Sequence, residues 1–455
     1  MKLIISKDSD INYLAKIVNI KEFTKHPDPT IQRLKCCQVD GFNIITDIDS
    51  IPGLYVYFPV MSQINQQFLS YANLFRNKEQ NANPEVKAGY FNDNCKVTII
   101  KMHEVVSEGF IIPIISLQNF VVDNFNISLD VVEETEFDTI EHEGKTLQFV
   151  KKFERAGTHG SKNHSTRSKT KSTKKYNKLV EGQFRFHYET TVIRKCPWVI
   201  NPEDIIHISE KVHGTSFISA NVLCKTKLTL IQKIYKYITK DNLYSYDNVY
   251  SSRKVVQNLN YNTTKSSGYY GCDVYGEANK IIAPILEKGM TIYAEIIGFT
   301  PGGGYVQKNY DYGFVCPKDG NYVYNENFGI KVYRITLTNV DGIVHEFSTQ
   351  EVQIWCKNHD LVPVNEYYYG KASKLYPEIV SSEDWTKDFI DKLANDKNFH
   401  MEEKSPSCKN KVPHEGIVIK IENMKSQAFK LKCFAFLDKK QKDLDKGVDD
   451  IEDNQ

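Results

Sequence analysis

At 455 residues the chain can bury a substantial core and is long enough for two or three domains. Its 58 basic and 57 acidic residues nearly cancel, which excludes a polybasic coat over the whole molecule, so any nucleic-acid surface must be local. No stretch approaches the roughly 18 uncharged apolar residues of a membrane span. The ten cysteines show neither a C-x-x-C pair nor metal-ligand spacing, and the reading is a soluble, unsecreted, intracellular protein in a reducing compartment.

The first 120 residues read as short strands near 15–20, 34–39, 42–46, 53–60, 96–102 and 109–114, each an apolar β-branched run. Asp40-Gly41 between the second and third suits a two-residue hairpin. A small antiparallel barrel is the economical arrangement, and an OB-fold would offer a nucleic-acid platform. From 151 to 178 the chain carries ten Lys or Arg against the single acid Glu154, with many Ser and Thr, so 121–181 reads as a basic flexible connector. Its cations either stay solvated or contact phosphates. Beyond Gly182 strands mix with helical stretches, notably 225–239 and 349–359, in an α+β pattern that continues to about 437. Residues 438–455 are densely charged and read as a disordered tail.

Chemistry gathers in this second half. Lys211-Val-His213-Gly214-Thr-Ser-Phe217 places a lysine beside a turn glycine. In Thr291-Ile-Tyr-Ala-Glu295-Ile-Ile-Gly298 an acid sits within an apolar strand, and burying it without a partner would be costly. Glu415-Gly-Ile-Val-Ile-Lys420 opens another strand. In Phe429-Lys430-Leu-Lys432-Cys433 alternation puts both ammonium groups on one face, where they can hold phosphate oxygens and disfavour protonation of a third lysine.

Together with Ser251-Ser-Arg253 and Gly329-Ile-Lys-Val-Tyr333-Arg-Ile335, these segments follow the order of motifs I, Ia, III, IIIa, IV and V of the covalent nucleotidyltransferases, and resemble most their RNA ligases. The segments 25–41, 81–91 and 107–110 resemble the N-terminal OB domain of one such group, RNA ligase family 5. The resemblance implies an OB-fold over 1–120, the connector over 121–181, a larger α+β nucleotidyltransferase domain of antiparallel sheets and helices over 182–437, and the tail.

It further implies an ATP-dependent enzyme, a monomer acting on broken or nicked RNA. Lys211 would take AMP from ATP, AMP would pass to a 5′-phosphate, and a 3′-hydroxyl would expel it. Glu210, Gly214, Arg253, Glu295, Tyr333, Lys430 and Lys432 would bind ATP or AMP, and Glu415 would serve Mg²⁺ or Mn²⁺. His213 either acts in a later step or shapes the motif I loop. Tyr333 either stacks on adenine or is a core residue, because Arg334 stands where many relatives carry aspartate. DNA ligases and mRNA-capping guanylyltransferases share the covalent lysine, but their motif I usually has aspartate where His213 stands. A non-catalytic RNA-binding protein is the remaining alternative.

Overall fold

Apolar runs on either side of Asp40-Gly41 pair as antiparallel strands in the computed structural model, which describes residues 1–7, 9–86, 89–154, 178–188, 190–226, 244–257, 270–318, 321–325, 329–422 and 427–447. After β1 (Ala15–Ile20), the hairpin joins β2 (Leu34–Val39) to β3 (Phe42–Asp47) with Val39 opposite Phe42. Asp40 takes the left-handed conformation at φ 50°. Gly41 lies in a tight approach of a different kind: a Cβ there would lie 3.0 Å from the backbone of Arg194, whose carbonyl accepts the Gly41 N–H at 2.7 Å.

Strands β4 (Gly53–Pro59) and β5 (Gly109–Pro113) lie in a four-stranded sheet of order β5-β4-β1-β6, β6 being Glu136–Phe137. The N-terminal strands form separate sheets of two to four strands, and no closed barrel is present among the described residues. The strand expected over 96–102 is reduced to Ile100–Met102, since Lys96 makes only an isolated bridge to Gln63.

This half also runs past the expected boundary at 120. Helix α1 (Ile114–Phe125), β6 and strands out to Val150–Lys152 belong to it because Phe137 and Phe149 are fully buried in one cluster with Phe58, Phe68 and Phe120. At about 1.5–3 kcal/mol for each large apolar side chain buried, these rings outweigh the polar character that suggested a connector. The basic stretch at 155–177 lies outside the described residues.

The second half is mixed α+β. One sheet has the order β7-β16-β15-β8-β14, built from Thr191–Val192, Ala428–Lys432, Gly416–Ile421, Ile205–Glu210 and Glu366–Lys371. The other has the order β10-β9-β11-β12-β13, from Tyr244–Ser251, Thr215–Lys225, Met290–Ile297, Gly329–Thr338 and Val344–Glu346. The first packs Ile206, Ile208, Ile417, Ile419 and Leu431 against α3 (Trp385–Asn395), through Phe389 and Leu393. The second packs Ile292, Val332 and Ile335 against α2 (Thr349–Asn358), which a Ser348–Glu351 capping box starts where the sequence predicted a helix. The helix expected over 225–239 lies, beyond residue 226, outside the described residues.

Helix α4 (Phe434–Asp445) corrects the expected tail. Leu444 falls eight residues after Phe436, just over two turns, so both are buried along one stripe, with Leu437 partly buried beside them and Gln441 donating to and accepting from the Ile99 backbone. Residues 448–455 lie outside the described residues. The nine cysteines whose side chains are described are free thiols, and among the described residues no helix is long and apolar enough to cross a membrane.

Candidate active site

Strand β8 ends on Glu210, the chain turns through Lys211–Gly214, and β9 returns antiparallel to β11 with Ser216 opposite Glu295. The turn is tight enough to need its glycine. A Cβ on Gly214 would lie 2.2 Å from the Ile296 carbonyl and 2.7 Å from the Glu295 Cγ. Lys211 donates its backbone N–H to the Gly416 carbonyl at 2.9 Å, and Gly416 pairs with Lys432, so three predicted segments meet at one point.

Their side chains converge there too. Glu415, 1% exposed, forms ion pairs with Lys211 Nζ at 2.9 Å and Lys432 Nζ at 2.8 Å through one carboxylate oxygen, and faces His213 Nδ1 at 3.4 Å with the other. Burial pushes the Glu415 carboxyl up, but Lys211, then Lys432 and His213, hold it well below the usual carboxylate range. Lys430 and Lys432 share one face of β16 while Phe429 and Leu431 are buried on the other, as alternation predicted. Both lysines line a single pocket with Glu210, Lys211, Arg253, Glu295 and Tyr333.

Glu210 is also buried, yet its partners are neutral. Asn365 Nδ2 and Ser407 Oγ donate to its Oε2 at 2.7 and 2.5 Å, and burial pushes its carboxyl up. The other oxygen has no hydrogen-bond partner among the described residues. Lys331 Nζ donates to Asn365 Oδ1 at 3.1 Å. His213, Glu415 and Gly214 are not among the residues that line this pocket. His213 is caged by the rings of Tyr310 at 4.7 Å and Phe436 at 5.1 Å, and its backbone N–H donates to the Tyr312 hydroxyl at 2.7 Å.

The family model for RNA ligase matches residues 204–432, half of the chain, and spans all of these groups except Phe436. The chain belongs to the RNA ligase family. It is therefore an enzyme that joins RNA ends. Its fold is similar to that of the solved Naegleria gruberi RNA ligase with PPi, at 14% identity and TM-score 0.53, covering 95% of this chain and 100% of that one. A glutamate-to-alanine mutant of the same Naegleria protein with ATP and Mn gives 14% identity and TM-score 0.54 over 94% and 99% of the two chains. A second such mutant, with AMP and Mn, gives 13% and 0.52 over 94% and 99%. No curated protein matches the sequence.

Within this ligase the departure at Arg334 has a structural explanation. The β11–β12 ladder slips between Tyr293 and Ala294, so Arg334 pairs with Tyr293, Val332 pairs with Ala294, and Tyr333 is the unopposed residue of a bulge. Tyr333 and Arg334 therefore both line the pocket instead of alternating across the sheet. The Arg334 guanidinium lies between the rings of Tyr188 at 4.8 Å and Tyr293 at 4.5 Å and pairs with Glu346 at 2.9 Å. Asn365, Ser407, Lys331, Tyr312, His187 and Tyr188 escaped the sequence reading. The first three act only through partners distant in sequence, whereas the alternating aromatic run Phe184, Phe186, Tyr188 was a usable signal.

Proposed function

We propose that the ligase works through a covalent lysine-AMP intermediate, with Lys211 attacking the α-phosphate of ATP and an RNA-adenylate following. The observation that carries this reading is the shared carboxylate of Glu415, which draws Lys211 and Lys432 into one site. An ordinary lysine, with pKa about 10.4, is an ammonium at neutral pH and cannot attack. Glu415 stabilises that ammonium here. Once the carboxylate is engaged elsewhere, Lys211 stands among Arg253, Lys430 and Lys432 in the same pocket, and these favour its neutral form.

A divalent cation, Mg²⁺ or Mn²⁺, fits this centre: the buried carboxylate of Glu415 is a hard-oxygen donor with two lysine ammonium groups on one of its oxygens. It would supply charge neutralisation on phosphate. Phosphate oxygens and water would complete its shell. Lys430, Lys432 and Arg253 would hold the phosphates, Glu295 the ribose, Tyr333 the adenine face, and Glu210 Oε1 the adenine amino group. His213, behind Glu415, would serve the later transfer to RNA, and Gly214 would keep β9 close to β11.

The N-terminal sheets would act as an OB-type platform holding RNA, as in RNA ligase family 5, in a monomer. The free thiols among the described residues support a reducing compartment, so we place the enzyme inside the cell. Incubation with α-labelled ATP and a divalent cation, followed by denaturing electrophoresis, tests the core of this reading. Label should survive on the wild type and vanish from Lys211→Ala. An unlabelled wild type overturns the intermediate, and label from GTP instead points to a capping enzyme.

A further inference from the structure

We propose that residues 183–188 form a built wall of the nucleotide pocket, in which His187 is a positioning residue that fixes Tyr333 for stacking; this rests on the reading that Tyr333 faces the adenine of ATP. The wall is anchored at three places on the sheet that carries Tyr333. Gln183 Nε2 donates to the carbonyls of Asn339 and Val340 at 2.9 and 3.1 Å, and Arg185 Nη2 donates to that of Gly342 at 3.1 Å. The Tyr293 hydroxyl donates to the Arg185 carbonyl at 3.1 Å, and Tyr188 covers one face of Arg334. Between these anchors His187 enters the pocket.

There it meets Tyr333 edge on. The ring centroids are 5.5 Å apart at 76°, and His187 Nδ1 lies 3.3 Å from the Tyr333 hydroxyl. Tyr333 is the extra residue of the bulge, so no cross-strand neighbour stands opposite to restrain its ring. A perpendicular contact at the hydroxyl restrains ring rotation without covering a ring face as a stacked partner would. Burial, and then the cations Arg253, Arg334, Lys211 and Lys430, push His187 down to about 3. The imidazole is thus neutral near pH 7, which suits a hydrogen bond to a phenol and not a grip on phosphate.

A double-mutant cycle tests the assignment, reading lysine adenylylation by wild-type full-length protein and its variants, with binding of ATP by calorimetry in a Lys211→Met background as the second readout. Losing the hydrogen bond should raise KM and Kd for ATP about tenfold in His187→Ala and in Tyr333→Phe, with kcat changed by less than about twofold. His187→Asn, which keeps a polar partner for the phenol, should recover most of the loss. The double variant should be no worse than either single one. Multiplied effects, about a hundredfold in the double variant, overturn the coupling. If Tyr333→Ala leaves KM and Kd unchanged, the stacking reading itself fails. If Tyr333→Ala weakens ATP binding while His187→Ala does not, only the positioning role is lost.

Discussion

Two buried glutamates flank the Lys211 turn and are stabilised in opposite ways. Glu415 is neutralised by charge, from Lys211 and Lys432, and its carboxyl is held low. Glu210 is satisfied by the neutral donors Asn365 and Ser407, and its carboxyl is pushed up. A charge-neutralised carboxylate can exchange its cations for others as a reaction proceeds. A carboxylate held by fixed neutral dipoles reads shape and hydrogen-bonding pattern, which suits recognition of a base. The two also pull stability in opposite directions with pH. Glu415 contributes stability that is present above the ordinary carboxyl range, about 4.3, and is lost as pH falls through its lower folded value. Glu210 binds its proton more tightly in the folded state, so stability falls as pH rises from that ordinary value through its raised one.

Breaking the charged side should have the largest effect. Glu415→Gln leaves two ammonium groups beside a neutral amide. Because Lys211 and Lys432 retain 16% and 17% exposure, the loss of stability should be about 2–4 kcal/mol, short of that for fully sealed ions. Adenylylation should fall by a factor of about 1000. Chemical denaturation and initial rates of lysine labelling measure the two. A variant that keeps both wild-type stability and rate removes Glu415 from the centre.

Next comes the contrast between the two β16 lysines. Lys432→Ala and Lys430→Ala should each slow adenylylation about 100-fold, since both line the pocket where phosphates would bind. Only Lys432 is ion-paired to Glu415, so only its loss should raise the Glu415 carboxyl toward its ordinary range. The acid limb of the pH–rate profile should therefore move to higher pH in Lys432→Ala and stay in place in Lys430→Ala. Identical profiles would refute a Glu415 set by its cations.

The charged side was also the legible one. Lys211, Glu415 and Lys432 lie in strands or tight turns whose period places them, and Gly214 marks the close approach at which β9 begins its pairing with β11. The neutral side was not, because Asn365 and Ser407 reach Glu210 across 155 and 197 residues and have no local pattern. The boundary near 120 failed for the same reason. Phe137 lies between Glu136 and Asp138, and Phe149 lies in the short run Leu147-Gln-Phe-Val150, and both reveal themselves as core only once Phe58 and Phe120 are beside them. Alternation is broken at Tyr333, where the bulge puts two consecutive side chains on one pocket.

Breaking the neutral side should be mild. In Glu210→Gln the amide oxygen still accepts from Asn365 and Ser407, while the cost of burying a charge is removed. The melting temperature near neutral pH should hold or rise, and the stability decline above the ordinary carboxyl range should flatten. The orphaned oxygen would become an NH₂ donor facing the base, so KM for ATP should rise about tenfold. A steeper pH dependence would contradict the raised Glu210 carboxyl.

The smallest expected effect on catalysis lies where a buried ion serves no chemistry. Lys96 has a fully buried side chain, pairs with Asp445 of α4 at 2.6 Å and lies over the Phe153 ring at 5.0 Å. This is the Glu415 arrangement in reverse, one sealed charge balanced by a partner that is 45% exposed. Asp445→Asn keeps a hydrogen-bond acceptor but removes the counter-charge, so it should cost about 1–2 kcal/mol, the difference between a charged and a neutral hydrogen bond. Water can reach the exposed side of the pair, which keeps that cost below the value for a fully enclosed one. Adenylylation per folded molecule should stay within about twofold, because a buried charge is coupled to turnover only where its partner also meets the substrate. Melting curves and labelling rates on the same preparation separate the two quantities. A loss of rate without a loss of stability would show that α4 transmits to Lys432 and His213 through Phe436, which touches both.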